Sequence, residues 1–394
     1  MNRILLASAA GLALPFAAAA QDFNAAPPNA SGQQPAFEGQ TRAPVLADDI
    51  PLATADVATG LDHPWGMTQL PDGTWLVTER AGNLRRIAAD GTVSEPISGL
   101  PEVDARGQGG LLDVVLAPDF ESSRRIFWSF AEARGEGKNA TAVATGTLNA
   151  DLTAVEGAAV IWQQQPAWES DKHFGSRLVW DRDGMLFVTL GERSNPESRA
   201  HAQELDNHLG KLVRITPEGR PAQAEPAIPG ALPDIHAMGL RNVQAAALDA
   251  QGTLWTVEHG PEGGDELNHV EAGRNYGWPV ITYGQDYSGA PIGEGITARE
   301  GMEQPVYYWD PVIAPSGLAI YDGAMFPEWQ GDFLIGGLVA QALVRLDMQD
   351  GRVAGEARHL QGIGRVRDVE VAADGSLMLL IDADRGRMVR VSRQ

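Results

Sequence analysis

The stretch RDGMLFVTLGE, residues 182–192, decides the fold of this 394-residue chain. Its Asp-Gly pair supplies the positive φ of a tight turn, and the apolar, β-branched run behind it reads as a strand. The unit recurs as PDGTWLVTE (71–79), AQGTLWTVEHG (250–260) and ADGSLMLLID (373–382). Two relatives of it, APDFESSRRIFWSF (117–130) and FPEWQGDFLIGG (326–337), use a different turn. Several units lead to a second strand of the form L-x-R-I or L-V-R-L, at residues 84–87, 212–215, 343–346 and 388–391. The six turns lie near residues 73, 122, 184, 252, 331 and 375, about 60 residues apart on average. Strand clusters at such a period predict a propeller, because a lone four-stranded blade cannot bury both of its faces. The expectation is an all-β, six-bladed β-propeller over residues 52–394.

Composition agrees with turns rather than long helices. Gly and Pro make up 70 of 394 residues, about 18 % where ~12 % is usual. Asp and Glu number 52 against 30 Lys and Arg, a net charge of −22. That balance argues against nucleic acid, whose phosphates call for a basic surplus, and against docking on anionic lipid. With no Cys, thiolate metal sites, a Cys nucleophile and disulfides are excluded. Residues 1–20 read as a signal peptide: Arg3, a short apolar core over 4–17, then Ala18-Ala19-Ala20 as a cleavage site. The apolar run is shorter than the ~18 residues a membrane span needs. An exported protein, periplasmic or secreted and without stable membrane insertion, is therefore expected. Residues 21–51, rich in Pro, Ala and Gln, read as a flexible leader. The alternative is an ordered strap lying over the domain.

Five segments are too polar or too Gly-rich for simple blade strands. In 106–112, glycines let the backbone approach a ligand, and Gln108 both donates and accepts. His173 leads into a strand beside Gly175, and imidazole is the commonest general base near neutral pH. Arg241 and Asn242 offer a cation and an amide to an anionic or carbonyl-rich ligand. The loop 258–268 combines carboxylates with Gly260 and Pro261, two successive carbonyls of the hard-oxygen kind that Ca²⁺ prefers. A merely solvated acidic turn is the other reading. Arg365 and Arg367 share one strand face and form a clamp for a polycarboxylate or phosphate, or else pair with nearby acids.

Seven motifs in order carry a family resemblance: GLDHPWGM (60–67), GQGGLLDV (107–114), HFGSRL (173–178), GLRN (239–242), HGPEGGDELN (259–268), NYGWP (275–279) and RVRDV (365–369). From about Leu61 onward the chain resembles the soluble pyrroloquinoline quinone (PQQ)-dependent aldose sugar dehydrogenases of the glucose/sorbosone dehydrogenase family. The resemblance implies oxidation of an aldose at C1 to the lactone. His173 would be the base, and hydride would pass to the C5 carbonyl of the quinone, polarised by Arg241. It implies that Gly260 and Pro261 hold the Ca²⁺ anchoring PQQ, and that Gln108, Asn242, Tyr287, Arg365 and Arg367 bind the cofactor. Glu266 and Tyr276 match a second, structural calcium site. An electron acceptor, soluble or membrane-bound, is implied without being identified.

Two departures stand out. Val339 occupies a position where family members often carry a cofactor-binding Lys, and Lys172 precedes the base where some relatives have Asp. Other functional classes remain open at this point: a calcium-dependent propeller lactonase or hydrolase, and a non-catalytic propeller that binds sugar or a protein.

Overall fold

The computed structural model describes residues 22–47 and 50–394. The expected signal peptide lies outside the described residues. The chain forms six antiparallel sheets, five of four strands and one of three. Their first strands are Pro64–Gln69, Leu111–Leu116, Gly175–Trp180, Val243–Leu248, Pro315–Ile320 and Val366–Val371. These six strands neighbour one another in sequence around a closed ring. They are the innermost strands of blades 1 to 6 of a β-propeller.

Each of the six predicted turns joins the first and second strands of one blade. Gly73, Gly184, Gly252, Gly331 and Gly375 hold φ between +74° and +87°, a region closed to most side chains. Blade 2 replaces the glycine turn with the one-turn helix Phe120–Ser123, ended by Arg124 at φ +55°. The second set of predicted strands becomes the third strand of its blade, as in Lys211–Ile215 and Ala342–Gln349.

The core lies between blades. Trp255 and Val257 of blade 4 pack with Phe333 and Ile335 of blade 5, and Leu334 of blade 5 packs with Leu377 and Leu379 of blade 6. A sheet covered on both sides needs apolar residues on both, which is why the second strands of five blades are buried at every position rather than alternating. The ring closes through Leu52–Leu61, which pairs antiparallel with Gly386–Arg393 from Leu52↔Arg393 to Leu61↔Gly386. Both ends of the propeller domain thus share blade 6.

The stretch expected as a flexible leader is held down over its described residues. Arg42 donates to the carbonyls of Asn24, Ala26 and Asp310, and Gln40 bonds Pro305 and Tyr283. Asp310 accepts from the backbone of Asn29 and Ala30, and Val45 bridges to Glu356. The ordered strap is the arrangement observed. Polar side chains bonding to backbone replace the apolar packing that the composition lacks.

Candidate active site

All innermost strands run in the same sense, so the loops leading into them gather at one end of the channel. The turns between second and third strands return to that end. The site residues come from these two loop sets, and a repeated device orients them. The second strand in four blades ends in a buried carboxylate that reaches back to the loop entering its own blade. Glu79 accepts from Asp62 N–H at 2.9 Å and Glu258 from Arg241 and Asn242 N–H at 2.6 and 3.2 Å. Glu192 meets His173, and Asp382 meets Arg365 and Arg367 at 3.4 and 3.5 Å.

His173 Nδ1 lies 3.0 Å from Glu192 Oε1, and both residues are buried. With Nδ1–H given to the carboxylate, Nε2 is left as the proton-accepting nitrogen. Burial and then the Arg241 charge push the imidazole down to about 4, while Glu192 opposes them. The base is thus neutral at ordinary pH. Its loop is strained, with His173 at φ +50° and Ser176 at φ +94°. Arg193, fully buried, braces it: the guanidinium rests 3.7 Å over the Phe174 ring and donates to Ser170 O at 2.8 Å. Lys172 is exposed.

Beside the base is a pocket lined by Gln108, Gln244, His259, Arg80, Arg365, Arg367 and Asp382, with Trp65, Leu112, Phe174 and Leu338 as apolar walls. Gln108 ties it to the base, since its side-chain oxygen accepts from His173 N–H at 2.9 Å. Asn242 is buried, and its side-chain oxygen accepts from Gly175 N–H at 3.2 Å. Of the pocket's guanidinium groups, those of Arg80 and Arg367 keep an Nε shielded from solvent without a hydrogen-bond partner, and the Arg241 Nε, which borders the small cavity described below, is in the same state. Orphaned cationic donors between flat apolar walls suit a planar group bearing several carboxylates and carbonyls, the chemistry of PQQ. Arg365 and Arg367 line this pocket together, as their spacing predicts. Tyr287 stands apart, 71 % exposed and away from the lining.

A second, very small cavity is lined by Gly260, Pro261, Glu258, Glu266 and Tyr276. The four residues implied for two calcium sites thus border one space. Not every acid of the loop is available to a cation. Asp265 is consumed by the N–H groups of Gly260, Ile313 and Ala314, at 2.8, 2.8 and 2.7 Å. Glu258 is spent on Arg241, Asn242 and Asn268. The Tyr276 hydroxyl donates to His269 O and accepts from Glu271 N–H. The Gly260 carbonyl already accepts from Arg241 Nη1 at 2.7 Å but keeps a second lone pair. Among the described residues no three His, Asp or Glu side chains converge as a metal-binding group. The remaining donors, two carbonyls and the Glu266 carboxylate held well above its usual range by burial and Glu258, are hard oxygens that fit Ca²⁺.

Several of these residues escaped the sequence reading: Glu192, Asp382, Arg80, Trp65 and His259. For Glu192 and Asp382 a signal existed, the acid that ends three of the quoted repeats and recurs in the fourth as Glu258.

The profile of the family described as Glucose / Sorbosone dehydrogenase matches residues 61–390. An aldose sugar dehydrogenase of Escherichia coli K12 is 44 % identical over 340 residues, 84 % of this chain and 90 % of that protein. A glucose dehydrogenase crystal structure superposes with a TM-score of 0.84 at 44 % identity, covering 87 % of this chain and 100 % of the other. The PQQ-bound form of an aldose sugar dehydrogenase from Streptomyces coelicolor gives 0.72 at 27 % identity, covering 88 % and 100 %.

Proposed function

The chain belongs to the glucose/sorbosone dehydrogenase family, and from that premise we propose that it oxidises aldose sugars at C1 to lactones, using PQQ and Ca²⁺. The observation that carries this reading is the buried His173–Glu192 pair set against a pocket in which Arg80 and Arg367 keep guanidinium Nε donors without a partner. A bound quinone supplies the two-electron acceptor for the hydrogen leaving C1.

The chain's own residues do the rest. His173 Nε2 takes the proton of the anomeric hydroxyl, and Glu192 fixes the tautomer and steadies the imidazolium that forms. Arg241 is held by His259 O and Gly260 O at 2.9 and 2.7 Å and lies 5.1 Å over the Trp278 ring. That fixed charge favours an oxygen becoming negative beside it. Arg365 and Arg367 would take carboxylates, and Gln108 and Asn242 would address carbonyl oxygens. Gly260 and Pro261 would hold the calcium that anchors the cofactor, and Glu266 and Tyr276 a second, structural one. Trp65, Leu112, Phe174 and Leu338 exclude water. We place the enzyme outside the cytoplasm, with residues 1–20 removed on export and a soluble or membrane-bound acceptor taking the electrons.

The test is to mix the purified apo-protein with PQQ and Ca²⁺ and assay dye reduction against a panel of aldoses. A quinone spectral shift and sugar-dependent reduction are expected. Neither a shift nor reduction with any sugar would overturn the reading.

A further inference from the structure

One cation in the pocket is accounted for by none of the motifs. Arg80 follows the second strand of blade 1, Trp75–Glu79, and lines the pocket beside Arg365, Arg367 and Asp382. Its main chain is latched on both sides. Its N–H donates to His63 O at 3.2 Å, and its carbonyl accepts from Leu111 N–H at 3.1 Å. Only glycine fits against that carbonyl, because a Cβ on Gly110, at φ +125°, would lie 2.0 Å from it. The loop that carries Gln108 therefore locks Arg80 in place.

The side chain is not satisfied by the protein. Its Nε is buried without a hydrogen-bond partner, and it has no carboxylate partner among the described residues. Asp382 is the single acid of the lining, and it is already shared by His63 at 2.8 Å, Arg365 at 3.4 Å and Arg367 at 3.5 Å. Three guanidinium groups face one carboxylate between apolar walls, where a cation without a counter-charge is costly. The three are close enough to feel each other. Arg367 is pushed down to about 10, mainly by burial, with Arg365 and Arg80 adding repulsion against the pull of Asp382. An arrangement with this surplus is completed by a ligand bearing negative charge.

Resting on the reading of this pocket as the site of a polycarboxylate quinone, we propose that Arg80 is a binding residue for that cofactor, its guanidinium taking one of the carboxylates. Arg80 thereby supplies, from blade 1, the cation that the exposed Val339 of blade 5 does not. A guanidinium suits this role better than an ammonium, since its planar fork accepts a carboxylate in two parallel bonds.

The experiment is a titration of the apo-protein with PQQ at saturating Ca²⁺ and no sugar, followed by quenching of tryptophan fluorescence. Arg80→Gln is expected to weaken binding about 10- to 100-fold, the range for losing a hydrogen-bonded charge. Arg80→Lys is expected to fall between that variant and wild type, and Val339→Lys added to Arg80→Gln to recover much of the loss. The latch uses main-chain atoms alone, so melting temperatures within a few degrees of wild type are expected for all three variants. Binding by Arg80→Gln within twofold of a tightly binding wild type overturns the assignment alone. A wild type that binds no PQQ overturns the functional reading along with it.

Discussion

His173 and Glu192 form a buried pair, 3.0 Å apart, in which the carboxylate is fully enclosed and the imidazole 6 % exposed. One residue enters the first strand of blade 3 and the other ends its second strand, so the blade itself sets their separation. Burial and Arg241 hold the imidazole at about 4, below its ordinary 6.5, against the opposing pull of Glu192. A base is active when unprotonated, so a lowered value extends the active form toward acid. Sugar oxidation is accordingly expected to stay level from pH 6 to 8 and to fall only below about pH 5. The pH profile of kcat/KM checks this, and an acid limb centred near 6.5 would contradict it.

Glu192→Gln keeps the size of the side chain but removes its charge. The imidazolium formed during proton transfer then loses its counter-charge, and the tautomer is no longer fixed. A fall in kcat of about 10²- to 10⁴-fold is expected, with quinone affinity unchanged. The acid limb should also move further down, because the group favouring the protonated ring has gone. His173→Ala should abolish turnover and spare cofactor binding. A Glu192→Gln enzyme that loses PQQ affinity while keeping its kcat would show that the carboxylate serves the pocket and not the base.

The turns were legible because five of the six first hairpins carry the same local chemistry, a glycine at positive φ before an apolar run. Blade number followed from counting them. The strap was not legible, since Asn24, Asn29, Gln40 and Arg42 score as disordered by composition. Their stability comes from single side-chain bonds to distant backbone, 16 to 283 residues away in the chain. Residues in glycine-rich loops, such as Gln108 and His173, announced themselves. Glu192 and Asp382 did not, because a carboxylate closing an apolar strand reads as the edge of a blade until the fold turns it inward. Tyr287 is the converse case: the family resemblance implies a cofactor contact, yet the residue is exposed.

The strap offers a test by proteolysis. Arg42 alone links Asn24, Ala26 and Asp310, so Arg42→Ala removes the knot that holds the segment to blades 4 and 5. A loss of about 1–3 kcal/mol is expected, confined to this segment. Brief protease treatment should cut the variant within residues 22–47 while leaving the propeller whole, as read by mass spectrometry. Cleavage of the wild type there at the same rate would mean the strap contributes no stability.

The axis of the propeller carries the last prediction. Arg177, on the innermost strand of blade 3, pairs with Asp113 of blade 2 at 3.0 Å and Asp368 of blade 6 at 2.9 Å, all three buried. The same acids accept backbone N–H groups across blade boundaries, Leu178 to Asp113 at 2.7 Å and Met67 to Asp368 at 3.0 Å. The guanidinium also lies 4.7 Å over Trp65, a wall of the cofactor pocket. Arg177→Met would strand two buried carboxylates, at a cost of about 3–5 kcal/mol. The cost arises from unpaired charge and not from lost packing, so adding Asp113→Asn and Asp368→Asn should return most of the stability. Chemical denaturation of the single and triple variants separates the two causes. A triple variant as unstable as Arg177→Met would locate the loss in packing against Trp65 instead.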